Sequence, residues 1–76
     1  MDNEEVIKIQ LRLLDKVYSY QCKRSEEGAV REAAIAVTKK YMQYASLYAD
    51  EKLENRDILA ITALHFASEA LKTDCL

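Results

Sequence analysis

Between residues 56 and 73 the sequence is apolar around most of a helical circumference. Ile58, Leu59, Ile61, Ala63, Leu64, Phe66, Ala67, Ala70 and Leu71 are apolar, while Thr62, His65, Glu69 and Lys72 form one narrow polar stripe. A helix resting on a single surface needs an apolar arc of about 100° or somewhat more. A chain of 76 residues holds too little other material to cover the remainder. The surplus is expected to be buried against a second copy of the chain.

Size sharpens the point. A domain this small buries only about 60% of the surface its unfolded chain exposes, and commonly relies on disulfides, a metal or oligomerisation. Two cysteines, Cys22 and Cys75, do not make a disulfide framework, and with one histidine they show no zinc-ligand spacing. Cys22 reads as a small buried apolar residue and Cys75 as a free terminal thiol. Oligomerisation remains, and no cofactor is implied.

Upstream, the pattern changes period. Residues 1–5 read as frayed and solvated. Ile7, Ile9, Leu11 and Leu13 then alternate with Lys8, Gln10 and Arg12, which predicts a half-buried strand over about 6–13. Tyr18, Tyr20 and Cys22 alternate with Val17, Ser19, Gln21 and Lys23, which predicts a second strand over about 17–23. Leu14, Asp15 and Lys16 supply the turn of an antiparallel hairpin. An isolated hairpin is marginal in water, so another element must cover it.

Ser25 offers a helix N-cap, with Glu26 and Glu27 favourable in the first turn. Glu27 and Arg31 are set for an i,i+4 ion pair. Val30, Ala34, Val37, Tyr41, Tyr44 and Tyr48 recur at 4-3-4-3-4 spacing, a sustained apolar stripe. With no proline and a single glycine, Gly28, a helix over about 26–49 and a second over about 56–73 are predicted. Asp50 to Arg56 is a charged connection, with Asn55 the expected cap of the second helix and Asp57 assisting. The fold class is α+β: a β-hairpin followed by two helices in one domain.

The order of these elements resembles the head domain of the ZapA family of cell division proteins. The most specific stretch is Ile61-Thr62-Ala63-Leu64-His65-Phe66-Ala67-Ser68-Glu69, which is similar to the family's second-helix pattern. Asp15-Lys16-Val17-Tyr18 looks like its hairpin segment, with Asp15 where the family commonly has glycine. A type I or Asx-type turn would accommodate Asp15. Family members usually continue the second helix into a coiled coil on which their tetramer depends. This chain stops at Leu76, so a head dimer is the expected assembly and a tetramer stays open.

The resemblance implies a non-enzymatic partner of FtsZ, the tubulin-like GTPase of the division ring. Such a protein cross-links FtsZ filaments in the cytoplasm at mid-cell. The implied contact is Lys16 at the hairpin tip, and Arg31, Lys39 and Lys40 extend a basic surface toward an acidic partner. The competing reading of all four is an ordinary solvated surface. The dimer interface is expected to include Tyr41, Tyr44, Ile61, Leu64, Phe66, Ala67 and Leu71. The tyrosines at heptad spacing read as core or interface rather than a stacking platform for bases. His65 reads as a surface or interface residue.

Other function classes find little support. Eleven basic residues against 13 acidic give a net charge of -2, which disfavours a nucleic-acid binder. A small DNA-binding regulator or antitoxin with a β-ribbon would need more cations than Lys8, Arg12 and Lys23. A generic adaptor with an unrelated partner is a second alternative. No phosphate loop, nucleophile–base pair or small-molecule site is recognisable. No leader-like or membrane-spanning apolar run is present, so a reducing cytoplasm is expected.

Overall fold

A computed structural model describes residues 5–74. Of the segment expected to fray, residues 1–4 lie outside them, as does the free thiol expected at Cys75, whereas Glu5 is tied to Arg24 by backbone and side chain. The element order is β1 (Val6–Leu13), β2 (Lys16–Lys23), a short 3-10 turn (Arg24–Glu26), α1 (Glu27–Leu47) and α2 (Asn55–Asp74). This is the expected α+β hairpin and helix pair. The chain divides into two compact units, Met1–Thr38 and Lys39–Leu76.

In the first unit β1 and β2 pair antiparallel, with Leu13 opposite Lys16, Leu11 opposite Tyr18 and Ile9 opposite Tyr20. Ile9, Leu11, Cys22 and Ala34 form the buried core, and Ile7, Leu13 and Val30 pack on it. The period-two pattern explains this directly, since alternate side chains share one face of the pleat. Cys22 is buried as expected of a small apolar residue.

The hairpin turn is tighter than expected. Lys16 belongs to β2, so only Leu14 and Asp15 lie between the strands. Leu14 has a φ of 62°, the only positive value among the described residues. A type I turn has negative φ at both central residues. A positive φ at the first alone is the mark of a type II′ turn, whose twist matches the flanking strands. The backbone demand thus falls on Leu14, not on Asp15.

The tip is tied to α1. Leu14 N–H donates to Thr38 Oγ1 at 2.9 Å, and the Thr38 hydroxyl donates to the Ala34 carbonyl at 2.9 Å. Farther along β1, Arg31 Nη1 donates to the Gln10 carbonyl at 3.1 Å. At the open end Arg24 N–H donates to the Glu5 carbonyl at 2.9 Å, and their side chains form an exposed ion pair at 3.2 Å.

α1 starts one residue later than expected, because the chain enters it through the 3-10 turn. Ser25 lies inside that turn, where Glu26 Oε1 accepts from Lys23 N–H at 3.3 Å. The predicted stripe faces inward: Ala34 is buried, and Val30, Val37, Tyr41, Tyr44 and Tyr48 are half-buried. Glu27 and Arg31 pair at 3.1 Å as their spacing predicts.

In the second unit α1 ends at Leu47, and Tyr48 N–H still donates to the Tyr44 carbonyl at 2.9 Å. α2 is capped by Glu54 rather than Asn55: Asp57 Oδ2 accepts from Glu54 N–H at 3.0 Å, and Asp57 N–H donates to the Glu54 carbonyl at 2.9 Å. This is the reach-back half of a capping box.

Candidate functional site

Two buried residues of α2, Ile58 and Thr62, define its inward side, with Ile61, His65 and Phe66 half-buried. The inward side therefore includes part of the polar stripe. Thr62 can be buried because its hydroxyl donates to the Ile58 carbonyl at 2.8 Å, leaving no unsatisfied polar atom. His65 meets the ring of Phe66 edge-on at 4.9 Å and that of Tyr44 at 6.2 Å. Tyr44 stacks with Tyr48 at 6.2 Å. These rings are the aromatic filling of the second unit.

The opposite side of α2 is apolar and open. Leu64 is 68% exposed and Leu71 66% exposed. Ala60, Ala63, Ala67 and Ala70 are also exposed. Ala60, Leu64, Ala67 and Leu71 follow one another at 4-3-4 spacing, the repeat of a helix–helix seam. Small residues beside each leucine allow a facing helix to come close. Four of the seven expected interface residues, Tyr41, Tyr44, Ile61 and Phe66, are half-buried within the chain, whereas Leu64, Ala67 and Leu71 lie on the open face.

The expected partner-binding cations separate by environment. Lys16 is exposed at the start of β2, its Nζ 6.0 Å from the Tyr18 ring centroid. Arg31 is already engaged, by Glu27 and by the Gln10 carbonyl. Lys39 is exposed. Lys40 is half-buried, donates to Gln43 Oε1 at 2.9 Å and lies 6.0 Å from the Tyr44 ring centroid. Lys16 and Arg31 belong to the first unit, Lys39 and Lys40 to the second.

The outer face of the hairpin carries Lys8, Gln10, Arg12, Ser19, Gln21 and Lys23, all exposed. Tyr18 and Tyr20 point to its core face, yet they remain 44% and 47% exposed. Sequence periodicity placed these tyrosines on the correct face but did not show that the first unit leaves them uncovered. Thr38 was missed altogether. A threonine within a helix carries no sequence signal that its hydroxyl receives a backbone amide 24 residues away.

No group of three or more potential metal ligands occurs among the described residues, and none of their helices is long and apolar enough to cross a membrane. No curated protein and no solved structure matches the chain. The family model for cell division protein ZapA matches residues 9–74, from the middle of β1 to the end of α2. That span contains both the hairpin and the open leucine face. The chain belongs to the ZapA family of cell division proteins, non-enzymatic accessory proteins associated with FtsZ.

Proposed function

We propose that the chain self-associates through the open face of α2 and, as a dimer, binds and bundles FtsZ filaments at the mid-cell division ring. The observation that carries this is the exposure of Leu64 and Leu71 on a ZapA-family helix. Fully burying a leucine contributes roughly 1.5–3 kcal/mol. A two-fold contact buries both leucines on both copies, and self-complementarity is what such an interface requires. A tetramer would need a further contact.

Lys16 and Lys39 are the cations best placed to meet an acidic partner, since both are exposed and neither forms an ion pair among the described residues. Lys40 joins them, while Arg31 serves mainly as a tie within the first unit. A dimer presents each cation twice. Two modest contacts on separate filaments then hold the filaments together by avidity, with no chemistry at the accessory.

The test is co-sedimentation with GTP-polymerised FtsZ. The protein should enter the pellet and raise light scattering, with both effects weakening as salt is raised. A protein that stays in the supernatant and leaves scattering unchanged would rule the reading out.

A further inference from the structure

We propose that β2 is not a free edge: it pairs antiparallel with β2 of a second copy, centred on Ser19, making a four-stranded sheet across the two chains. This goes beyond the helix contact and FtsZ binding and depends on neither.

The argument begins with backbone direction. Arg24 N–H donates to the Glu5 carbonyl, which makes Glu5 and Arg24 a hydrogen-bonded pair of the ladder. Hydrogen-bonded and non-bonded pairs alternate. The even-numbered residues of β2 therefore turn their amides and carbonyls toward β1. Val17, Ser19 and Gln21 turn theirs outward. On β1 the outward side is partly used, because the Gln10 carbonyl accepts from Arg31. No described group takes the outward side of β2 in that way.

Proteins protect an open strand with charges, proline, a bulge or a covering element. Residues 17–22 read Val-Tyr-Ser-Tyr-Gln-Cys, without charge, proline or glycine. The register with β1 runs unbroken from Leu13–Lys16 to Val6–Lys23, so no bulge twists the edge away. An edge that is regular throughout and uncharged between its terminal lysines, Lys16 and Lys23, is a template for another strand.

The core face agrees. Ile9 and Leu11 are 6% exposed, while their cross-strand partners Tyr20 and Tyr18 are nearly half exposed. The apolar face continues past the covered part of the sheet and stops at the open edge. A neighbouring β2 extends that face and supplies partners for the tyrosines.

The occupant is a second copy because the strand complements itself. Outward backbone groups must meet outward groups, which restricts the registers. With Ser19 opposite Ser19 of the other copy, Val17 meets Gln21 and Tyr18 meets Tyr20. The tyrosines then occupy close non-bonded positions, where aromatic cross-strand pairs are favourable. In the same register Asp15 falls opposite Lys23 at both ends. Neither makes an ion pair among the described residues. Shifting to put Tyr20 opposite Tyr20 would place Lys16 opposite Arg24, a like-charge pair. Shifting the other way, to Tyr18 opposite Tyr18, leaves Lys23 beyond Asp15.

Disulfide trapping tests the register in the 76-residue chain carrying Cys22→Ala and Cys75→Ser. Facing Ser19 residues have Cα atoms about 5.5 Å apart, within disulfide reach. Under mild oxidation at micromolar protein, Ser19→Cys should form covalent dimer at least ten times faster than Gln21→Cys. Asp15→Lys or Lys23→Asp alone should slow Ser19 trapping several-fold, and the two together should restore it. Ser19→Pro should keep the far-UV spectrum of the hairpin, since the lost amide faces away from β1, and should weaken self-association. Equal trapping at Ser19 and Gln21, or charge changes that do not compensate, would overturn the proposal. Trapping reads β2 alone, so failure of FtsZ co-sedimentation leaves this result independent.

Discussion

The amide of Leu14 and the hydroxyl of Thr38 meet at 2.9 Å, joining the tip of the β-hairpin to α1. The same hydroxyl donates a hydrogen bond to the Ala34 carbonyl. One side chain thus satisfies a turn amide that neither strand can pair, and does so over the buried Ala34. Replacing Thr38 with valine keeps the shape and removes the acceptor. Thr38→Val should cost about 0.5–1.5 kcal/mol, the net contribution of one hydrogen bond at a half-buried site. Thr38→Ser should recover most of that. Urea unfolding of the three proteins, compared at constant slope, checks the order.

Leu14 stands at φ 62°, where a side chain is strained and glycine is not. The usual ranking of alanine over glycine should therefore reverse here. Leu14→Ala keeps the strain and loses the half-buried side chain. Leu14→Gly loses the side chain but relieves strain of the order of 1 kcal/mol. Thermal unfolding should place the glycine variant at or above the alanine variant.

Gly28 presents the opposite case. It lies in the first turn of α1 at negative φ, and beyond its chain neighbours and the surrounding helix backbone no atom lies within 4 Å of where a Cβ would sit. Gly28→Ala should stabilise by about 0.5–1 kcal/mol, raising the midpoint by several degrees in a chain of this size. Differential scanning calorimetry would show it.

These sites show where sequence was informative. The hairpin followed from Ile7, Ile9, Leu11 and Leu13, because period-two alternation needs nothing beyond the pleat. The inward face of α1 followed from Val30 through Tyr48 for the same local reason. The turn chemistry did not follow, since leucine carries no turn signal and only the observed φ at Leu14 reveals the II′ geometry. Thr62 was hidden too. Its type reads polar, but a hydroxyl bonded to its own helix can be buried at little cost. The expected cations were legible as charges, whereas the engagement of Arg31 depends on where β1 puts the Gln10 carbonyl.

That engagement separates two kinds of basic residue. Arg31→Ala should lower stability by roughly 1 kcal/mol, through loss of a charge-assisted hydrogen bond to Gln10 and of the Glu27 pair. Its effect on FtsZ co-sedimentation should be small once the protein is folded. Lys16→Glu and Lys39→Glu should leave the unfolding midpoint nearly unchanged and reduce co-sedimentation several-fold. Paired unfolding and pelleting measurements on the same preparations distinguish the two behaviours.

The central claim concerns the bare leucine face of α2. Sedimentation equilibrium of the wild type and of Leu64→Asp, over a range of micromolar concentrations, addresses it most directly. Leu64 is already 68% exposed, so the aspartate variant should keep its helical content. The wild type is predicted to sediment as a dimer or larger, and Leu64→Asp to dissociate at least tenfold more readily. A wild type that sediments as a monomer throughout, or a variant that associates as strongly as the wild type, would contradict the account.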